Sequence, residues 1–175
     1  SFRDTLVGQP IQIKDVLENS SSFKRFQNST EIQLNAETSS KYANSVNSVL
    51  YFFQLPLPLK DPATITERLP NQMVKGIEYF VIQVRFEQEK GGKDFEDVFL
   101  YWVNTESYLI AYLAYSYLTD GGGVRFREAV NRRKKDGLVV QVYINYKPVS
   151  KSEPLDRLIG LFEKSELVEL SRIEN

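Results

Sequence analysis

Six strand-like segments follow one another between residues 64 and 147, and this series restricts the chain to a fold dominated by β-sheet. Each segment is rich in valine, isoleucine, tyrosine and phenylalanine, which favour strands. Turn signals such as Lys75-Gly76 and Asp136-Gly137 separate them. The segments are ITERLPNQMV, IEYFVIQVRFEQ, DVFLYWV, SYLIAYLAYSYL, VRFREAVNRRK and LVVQVYINYK. Together they predict one long antiparallel meander.

The segments outside this meander predict helices that cover the sheet. Residues 10–34 read as two strands joined by a turn at 18–22. Asn35 suits an N-cap, and the helical spacing that follows predicts a helix over 36–53. A second helix is predicted at 152–166, followed by a last strand at 167–173. The first helix should pack on the sheet through Val46, Val49, Leu50 and Phe53.

Length and composition limit the classes of protein that remain. A chain of 175 residues, 42% hydrophobic, is long enough for one buried core, so a single domain over 1–175 is predicted. The absence of cysteine and histidine excludes cysteine nucleophiles, Ser-His-Asp relays and the usual zinc sites. A net charge of -1 gives no global attraction to nucleic acid or to an anionic membrane.

The first residues, SFRDTLVG, resemble the middle of a strand pattern and lack the basic start of a signal peptide. They also lack an initiator methionine. We therefore expect an N-terminally trimmed chain from which any export signal has been removed. The sequence contains no run of about 18 apolar residues, so it predicts no membrane-spanning helix.

Three consecutive glycines, Gly121 to Gly123, precede a basic segment and suggest an anion site. Neither the spacing of a Walker loop nor that of a dinucleotide fingerprint is present, and the following VRFREAV alternates with period two. The glycines therefore predict a hairpin bend. The cluster Arg132 to Lys135 lies directly before an Asp-Gly turn, where it is either a solvated tip or a nucleic-acid patch.

Arg125 and Arg127 are the main candidates for a binding site. A two-residue turn at the Asp-Gly pair would place Arg127 opposite Tyr146, and a three-residue glycine loop would place it opposite Tyr117. The resulting sheet face comprises Leu113, Tyr115, Tyr117, Arg125, Arg127, Val140, Val142, Ile144 and Tyr146. Because a buried arginine is costly unless paired, this face predicts either an internal ion pair or a pocket for an anionic amphiphile. A register slip of one residue would move both arginines to the other face.

The acidic residues give little indication of a catalytic or metal-binding site. The pairs Glu89 with Glu96 and Asp94 with Asp97 lie in the charged loop EQEKGGKDFED. That loop lacks the acidic spacing of an EF-hand, so solvated carboxylates are favoured over calcium binding.

The motifs GGGVRFREA and INYKP are the most specific part of a resemblance that covers residues 10–148. The chain resembles an uncharacterised family of secreted or lipid-anchored proteins from Bacteroidetes-type bacteria. The resemblance implies an α+β, mainly antiparallel fold similar to the lipoprotein-carrier proteins LolA and LolB, in which a curled sheet forms an incomplete barrel covered by helices. It also implies a location in the periplasm or outer membrane, with tethering through a lipidated N-terminal cysteine that this chain lacks.

We therefore expect a non-enzymatic cell-envelope module that holds a lipid, an acyl chain or a lipoprotein between sheet and helices. The expected ligand-binding residues are Arg125, Arg127, Tyr115, Tyr117 and Tyr146, and no catalytic residue, metal or cofactor is assigned. The alternative is a protein-interaction or scaffold lipoprotein with a filled core and an envelope protein as partner. An envelope hydrolase that uses carboxylates is a third class. Nucleic acid is not expected as a partner, and membrane association is expected only through the N-terminal anchor.

Overall fold

The computed structural model of the chain describes residues 11–18, 22–87, 96–118 and 121–173, with only the backbone of Leu138 and Ile173. Its internal contacts divide the chain into two compact units, residues 1–58 and 59–175. The single domain predicted from chain length stays a prediction.

The first unit contains a small antiparallel sheet and the longest described helix. The strands are β1 (Ile13–Glu18), β2 (Ser22–Gln27) and β3 (Thr30–Ile32), and the helix is α1 (Ala36–Phe53). The sequence predicted two strands here, but the second divides at Asn28 and Ser29. Both residues have positive φ, 47° and 69°, as a two-residue hairpin turn requires. The prediction of α1 is confirmed in its bounds and in its cap, since the Asn35 side chain accepts a hydrogen bond from the Thr38 amide at 2.8 Å.

Helix α1 packs on β1 and β2 within this unit. Its Tyr42 ring lies 3.4 Å from the guanidinium carbon of Arg25, which also forms a bidentate ion pair with Asp15. The predicted buried stripe is wrong in three of its four members. Val49, Leu50 and Phe53 are 48%, 46% and 49% exposed, and the fully buried aromatic residue of the helix is Phe52. Their apolar side chains are therefore not the core contact that helical spacing predicted.

The second unit is the predicted meander, and its antiparallel character is confirmed. Seven strands lie in the order β10-β9-β8-β7-β6-β5-β4, with every neighbouring pair antiparallel. The strands are β4 (Thr64–Val74), β5 (Ile77–Phe86), β6 (Val98–Asn104), β7 (Ile110–Tyr117), β8 (Gly123–Lys135), β9 (Leu138–Lys147) and β10 (Val168–Ile173). A 3-10 turn (Leu155–Arg157) leads into the short helix α2 (Leu158–Glu163).

One face of the seven-stranded sheet, the α2 face, carries a filled aromatic core. Phe162 of α2 lies with its ring centroid 4.9 Å from that of Phe126 and 5.3 Å from that of Tyr112. The indole N–H of the fully buried Trp102 donates to the side-chain oxygen of Gln72 at 2.7 Å. Burial of this apolar surface supplies most of the stability of such a unit.

The sheet is open, because within the described residues β4 and β10 each pair on one side only. Both edge ladders contain a register break, between Leu69 and Gln72 in β4 and between Glu169 and Ser171 in β10. Pro70, which has no N–H to donate, lies at the first of these breaks. An open antiparallel sheet with two helices agrees with the predicted α+β class, whereas the half-barrel and its helical cover stay predictions. None of the described helices is long and apolar enough to cross a bilayer.

Candidate functional site

The candidate site lies on the face of the seven-stranded sheet opposite the α2 face. We call it the arginine face. In the observed register Arg125 pairs with Tyr115, and Arg127 pairs with Leu113 on one side and Asn145 on the other. The arginine face at β7, β8 and β9 comprises Leu113, Tyr115, Tyr117, Arg125, Arg127, Tyr143 and Asn145. The predicted grouping of both arginines with Tyr115 and Tyr117 is therefore present in the structure, but with different pairings.

The loop from β7 to β8 has five residues, 118–122, rather than the three predicted. Tyr117 consequently pairs with Gly123 instead of Arg127. The observed partner, Gly123, lies four residues before the predicted partner, Arg127. Because an even shift preserves the face of every side chain, both arginines stay on the side of Tyr115 and Tyr117.

The hairpin between β8 and β9 has the predicted two-residue turn but contains an unpredicted bulge. Lys135 pairs with Leu138 as expected, whereas the register shifts between Val130 and Arg133, where Asn131 has a φ of 50°. On the side of the bulge away from the turn, each residue of β8 pairs with the β9 residue next to its predicted partner. A shift by an odd number of residues moves a side chain to the other face of the sheet. The predicted face is therefore wrong for the β9 residues on that side of the bulge.

Tyr146 is the candidate residue that this bulge displaces. It pairs with Phe126 and lies on the α2 face, where its hydroxyl donates to a carboxylate oxygen of Glu128 at 3.2 Å. Its ring centroid is 5.7 Å from that of Phe162. Burial, reinforced by Glu128, raises the pKa of Tyr146 to about 12. Tyr146 is thus part of the filled core and does not belong to the candidate site; Val142 and Ile144 move with it.

Arg127 is the most deeply placed charge of the arginine face. Its side chain is buried, with the residue 7% exposed. One terminal guanidinium nitrogen donates to the Tyr115 hydroxyl at 3.2 Å, and the guanidinium carbon lies 5.7 Å from the centre of the same ring. Burial also raises the pKa of the neighbouring Tyr143, an effect that the positive charge of Arg127 partly offsets. The positive charge therefore sits in an aromatic environment of low polarity.

Arg125 is more accessible and lies near the glycine loop. Its guanidinium is 5.0 Å from the centre of the Tyr117 ring and donates to the Val124 carbonyl at 2.9 Å. Gly123 allows this stacking. A Cβ at Gly123 would approach the Tyr117 hydroxyl to 3.1 Å and the Arg125 Nη1 atom to 3.4 Å, and its φ of 148° is rare for other residues. Glycine at this position therefore favours the cation–π contact as well as the unusual backbone conformation at the start of β8.

The carboxylate pairs of the charged loop, predicted to be solvated, are described only in part. Glu89 and Asp94 lie outside the described residues, while Glu96 is exposed and Asp97 is half-buried. Across residues 11–18, 22–87, 96–118 and 121–173, no group of three acidic side chains is arranged to hold a metal ion.

The chain matches one protein family over almost its whole length. The model described as "Family of unknown function (DUF6503)" matches residues 4–175. The chain belongs to this family. No curated protein and no solved structure gives a significant match. Membership of DUF6503 agrees with the predicted resemblance to an uncharacterised family; the carrier-like fold and the bacterial group stay predictions.

The arginine face of this DUF6503 protein contains aromatic residues that the sequence did not assign to it. Phe99 of β6 stacks on Tyr115 with 5.3 Å between ring centroids, and Tyr101 stacks on Phe99 at 6.0 Å. Both are buried. The signal for them was the segment VFLYWV, which is apolar on both faces and therefore typical of a strand covered on both sides. Tyr143 and Asn145 were missed because the bulge that exposes them to this face has no clear sequence signature.

Proposed function

We propose that this protein is a non-enzymatic binding module for a hydrophobic or amphiphilic ligand, such as a lipid, an acyl chain or a lipoprotein. The ligand would lie on the arginine face, with an anionic head group at Arg125 or Arg127. The observation that carries the proposal is the placement of two guanidinium groups within a stack of aromatic rings on one sheet face.

The guanidinium groups of this face suit an acidic ligand. Arg127 is held by partners within the protein, as a buried charge requires. Tyr115 supplies one of them through its hydroxyl. A carboxylate or phosphate would supply stronger, charge-assisted hydrogen bonds, because the planar guanidinium can donate two parallel bonds to either group.

Arg125 is the member of the pair that a ligand can reach from solvent. Its half-buried guanidinium and the half-buried rings of Tyr115 and Tyr117 are adjacent on the face. Apolar contact with such rings would contribute about 25 cal/mol per Å² of buried surface. The acyl part of a ligand would therefore supply most of the affinity, and the arginines would orient its head group.

The carrier-like fold and the envelope location form part of the same proposal. An open antiparallel meander whose one face is covered by α2 is consistent with an incomplete barrel of the LolA and LolB type. Tethering through a lipidated N-terminal segment would place the protein in the periplasm or at the outer membrane. The sequence resemblance to the family of secreted or lipid-anchored proteins supports this part of the proposal.

A second candidate, a protein-interaction or scaffold lipoprotein without a ligand, is favoured by the α2 face. There the space between sheet and helix is filled by the rings of Tyr112, Phe126, Tyr146 and Phe162. On the arginine face, Tyr101 and Leu113 are also fully buried. In this alternative, Arg125 and Arg127 stabilise the fold and have no ligand.

A paired substitution separates the two candidates. Arg125→Gln with Arg127→Gln should weaken binding of palmitate more than binding of the neutral palmityl alcohol, by about 1.5 to 3 kcal/mol for a lost charge-assisted hydrogen bond. Arg85→Gln is the matched control. Arg85 is exposed and follows Val84 in β5. Val84 pairs with Phe99 and therefore lies on the arginine face. Because side chains alternate along a strand, Arg85 lies on the opposite face. Calorimetric titration with both ligands gives the difference in affinity.

The melting temperature of the same variant identifies the alternative. If the arginines serve only the fold, the double variant melts at a lower temperature and discriminates between the two ligands as the unchanged protein does. The single variant Arg125→Gln keeps the buried Arg127 and should fold, so it still reports on discrimination if the double variant is unstable. Equal affinities for both ligands in all variants would contradict the ligand-binding proposal.

A further inference from the structure

The hairpin of β8 and β9 extends beyond its neighbours as a two-stranded arm. The last described pair between β7 and β8 is Tyr112 with Glu128, and the last between β9 and β10 is Tyr143 with Ile173. Among the described residues, 129–135 and 138–142 therefore pair only with each other. We call residues 129–142 the basic arm. It ends in the two-residue turn at Asp136 and Gly137, which have φ of 51° and 83°.

The base of the basic arm is held by hydrogen bonds to the sheet. Arg132, in the bulge that begins at Asn131, donates to the backbone carbonyl of Ile110 at 2.8 Å. Its Nε atom donates to the side chain of Gln141 at 3.0 Å. These bonds tie the arm to the start of β7 and fix its direction, so its outer part is a pre-organised ribbon.

Charge is concentrated between Arg132, at the base of the basic arm, and its tip. Arg132, Arg133, Lys134 and Lys135 are all exposed, and Asp136 is the one acidic residue of the arm. The opposite strand, 138–142, has the sequence LVVQV and no ionisable group. The arm thus carries a formal charge of +3 in a chain of net charge -1, which leaves -4 for the rest of the protein.

Three of the four cations of the arm, Arg133, Lys134 and Lys135, lie opposite aliphatic residues. Arg133 pairs with Val140, and Lys134 pairs with Val139, which is 48% exposed. A ribbon that reads base edges needs polar side chains that donate and accept hydrogen bonds in the groove. Exposed valine beside lysine suits a lipid surface instead, where the ammonium reaches the head groups and the aliphatic group enters the boundary below them.

We propose that the basic arm docks this protein on an anionic lipid surface. Each lysine or arginine near such a surface strengthens binding by about a factor of five at physiological salt. The acidic remainder of the chain would be repelled from the same surface, so the protein would bind with the arm pointing toward it. This docking site is separate from the arginine face and does not depend on the proposed ligand.

Vesicle binding tests the proposal. The protein should bind vesicles of phosphatidylcholine with 30% phosphatidylglycerol and not vesicles of phosphatidylcholine alone. Lys134→Gln with Lys135→Gln should weaken binding to the anionic vesicles by about 30-fold, as expected for two charges. Lys151→Gln with Lys164→Gln removes the same charge from two exposed positions outside the arm and should change the affinity by less than about threefold.

Val139→Thr distinguishes a lipid surface from other anionic partners. This change keeps the shape of the side chain but replaces one methyl group with a hydroxyl group, so it should weaken vesicle binding by about threefold and leave every charge in place. Unchanged vesicle affinity in Val139→Thr would overturn the docking mode. The proposal also fails if the two double variants weaken vesicle binding equally. It fails as well if a 20-base-pair DNA duplex binds the protein more tightly than the vesicles do and that affinity is lost in Lys134→Gln with Lys135→Gln.

Discussion

Replacing Phe162 with alanine should strongly destabilise the second unit. Phe162 is buried, and its ring centroid lies 4.9 to 5.7 Å from those of Phe126, Tyr112 and Tyr146. The Lys75 ammonium lies 4.1 Å from the centre of the same ring. A buried phenylalanine truncated to alanine costs about 3 to 5 kcal/mol. With contacts to three rings and a cation, we expect about 4 kcal/mol, equivalent to a melting temperature lower by about 8 to 16 °C.

Urea unfolding followed by tryptophan fluorescence measures this loss directly. The chain has one tryptophan, Trp102, which is fully buried with its ring 6.1 Å from that of Phe126. Tyr108→Ala is the matched control within the same unit, because it deletes an aromatic ring from a side chain that is 72% exposed. We expect it to cost less than about 1.5 kcal/mol. Equal losses in the two variants, or a loss below about 1.5 kcal/mol for Phe162→Ala, would refute the role of α2 as the anchor of this core.

Three further perturbations test other parts of the second unit. Gln72→Leu removes the acceptor of the buried Trp102 N–H and should cost about 1 to 3 kcal/mol in a urea titration; a loss under about 0.5 kcal/mol would contradict the hydrogen bond. Burial raises the pKa of Tyr146 to about 12, against about 10 in the unfolded chain, so the unfolded state loses its proton first. Stability should therefore fall as the pH rises from about 10 to about 12, and Tyr146→Phe should flatten that part of the curve of melting temperature against pH. Gly122→Val places a Cβ 3.2 Å from the Tyr117 carbonyl oxygen at a φ of 67° and should cost about 1 to 3 kcal/mol, and calorimetry should find no phosphate binding before or after the change.

Much of the fold was predictable because local signals and pattern agreed. The bounds of α1 follow from the cap at Asn35 and from helical spacing, and the tip of the β8–β9 hairpin follows from Asp136-Gly137. The signal failed at Asn28 and Ser29, where two residues other than glycine adopt positive φ and divide a predicted strand. Helical spacing also predicted an apolar stripe on α1 without determining how deeply it is buried, since burial depends on tertiary packing.

The candidate site was predictable only in part because sheet faces depend on every residue inserted along a strand. Arg125 and Arg127 stayed with Tyr115 and Tyr117, since the unexpected loop length shifted the pairing by an even number of positions. Tyr146 changed face, since the bulge at 131 shifted it by an odd number. At that bulge Asn131 adopts a left-handed conformation, which asparagine tolerates better than most residues, but asparagine is also frequent in turns, so its presence alone does not predict a bulge.

The two breaks in the edge ladders affect how folded molecules can meet. An open sheet presents unpaired backbone groups to which a strand from another copy can add, and repeated addition yields fibres. On β4 the backbone is regularly spaced for such pairing only from Thr64 to Leu69. At Pro70 an N–H donor is missing, and the register shifts before Gln72. On β10 the bulge leaves three regular positions, Ser171 to Ile173. Within the described residues, therefore, neither edge offers a template longer than six positions, and intermolecular growth of the native sheet is hindered at both ends.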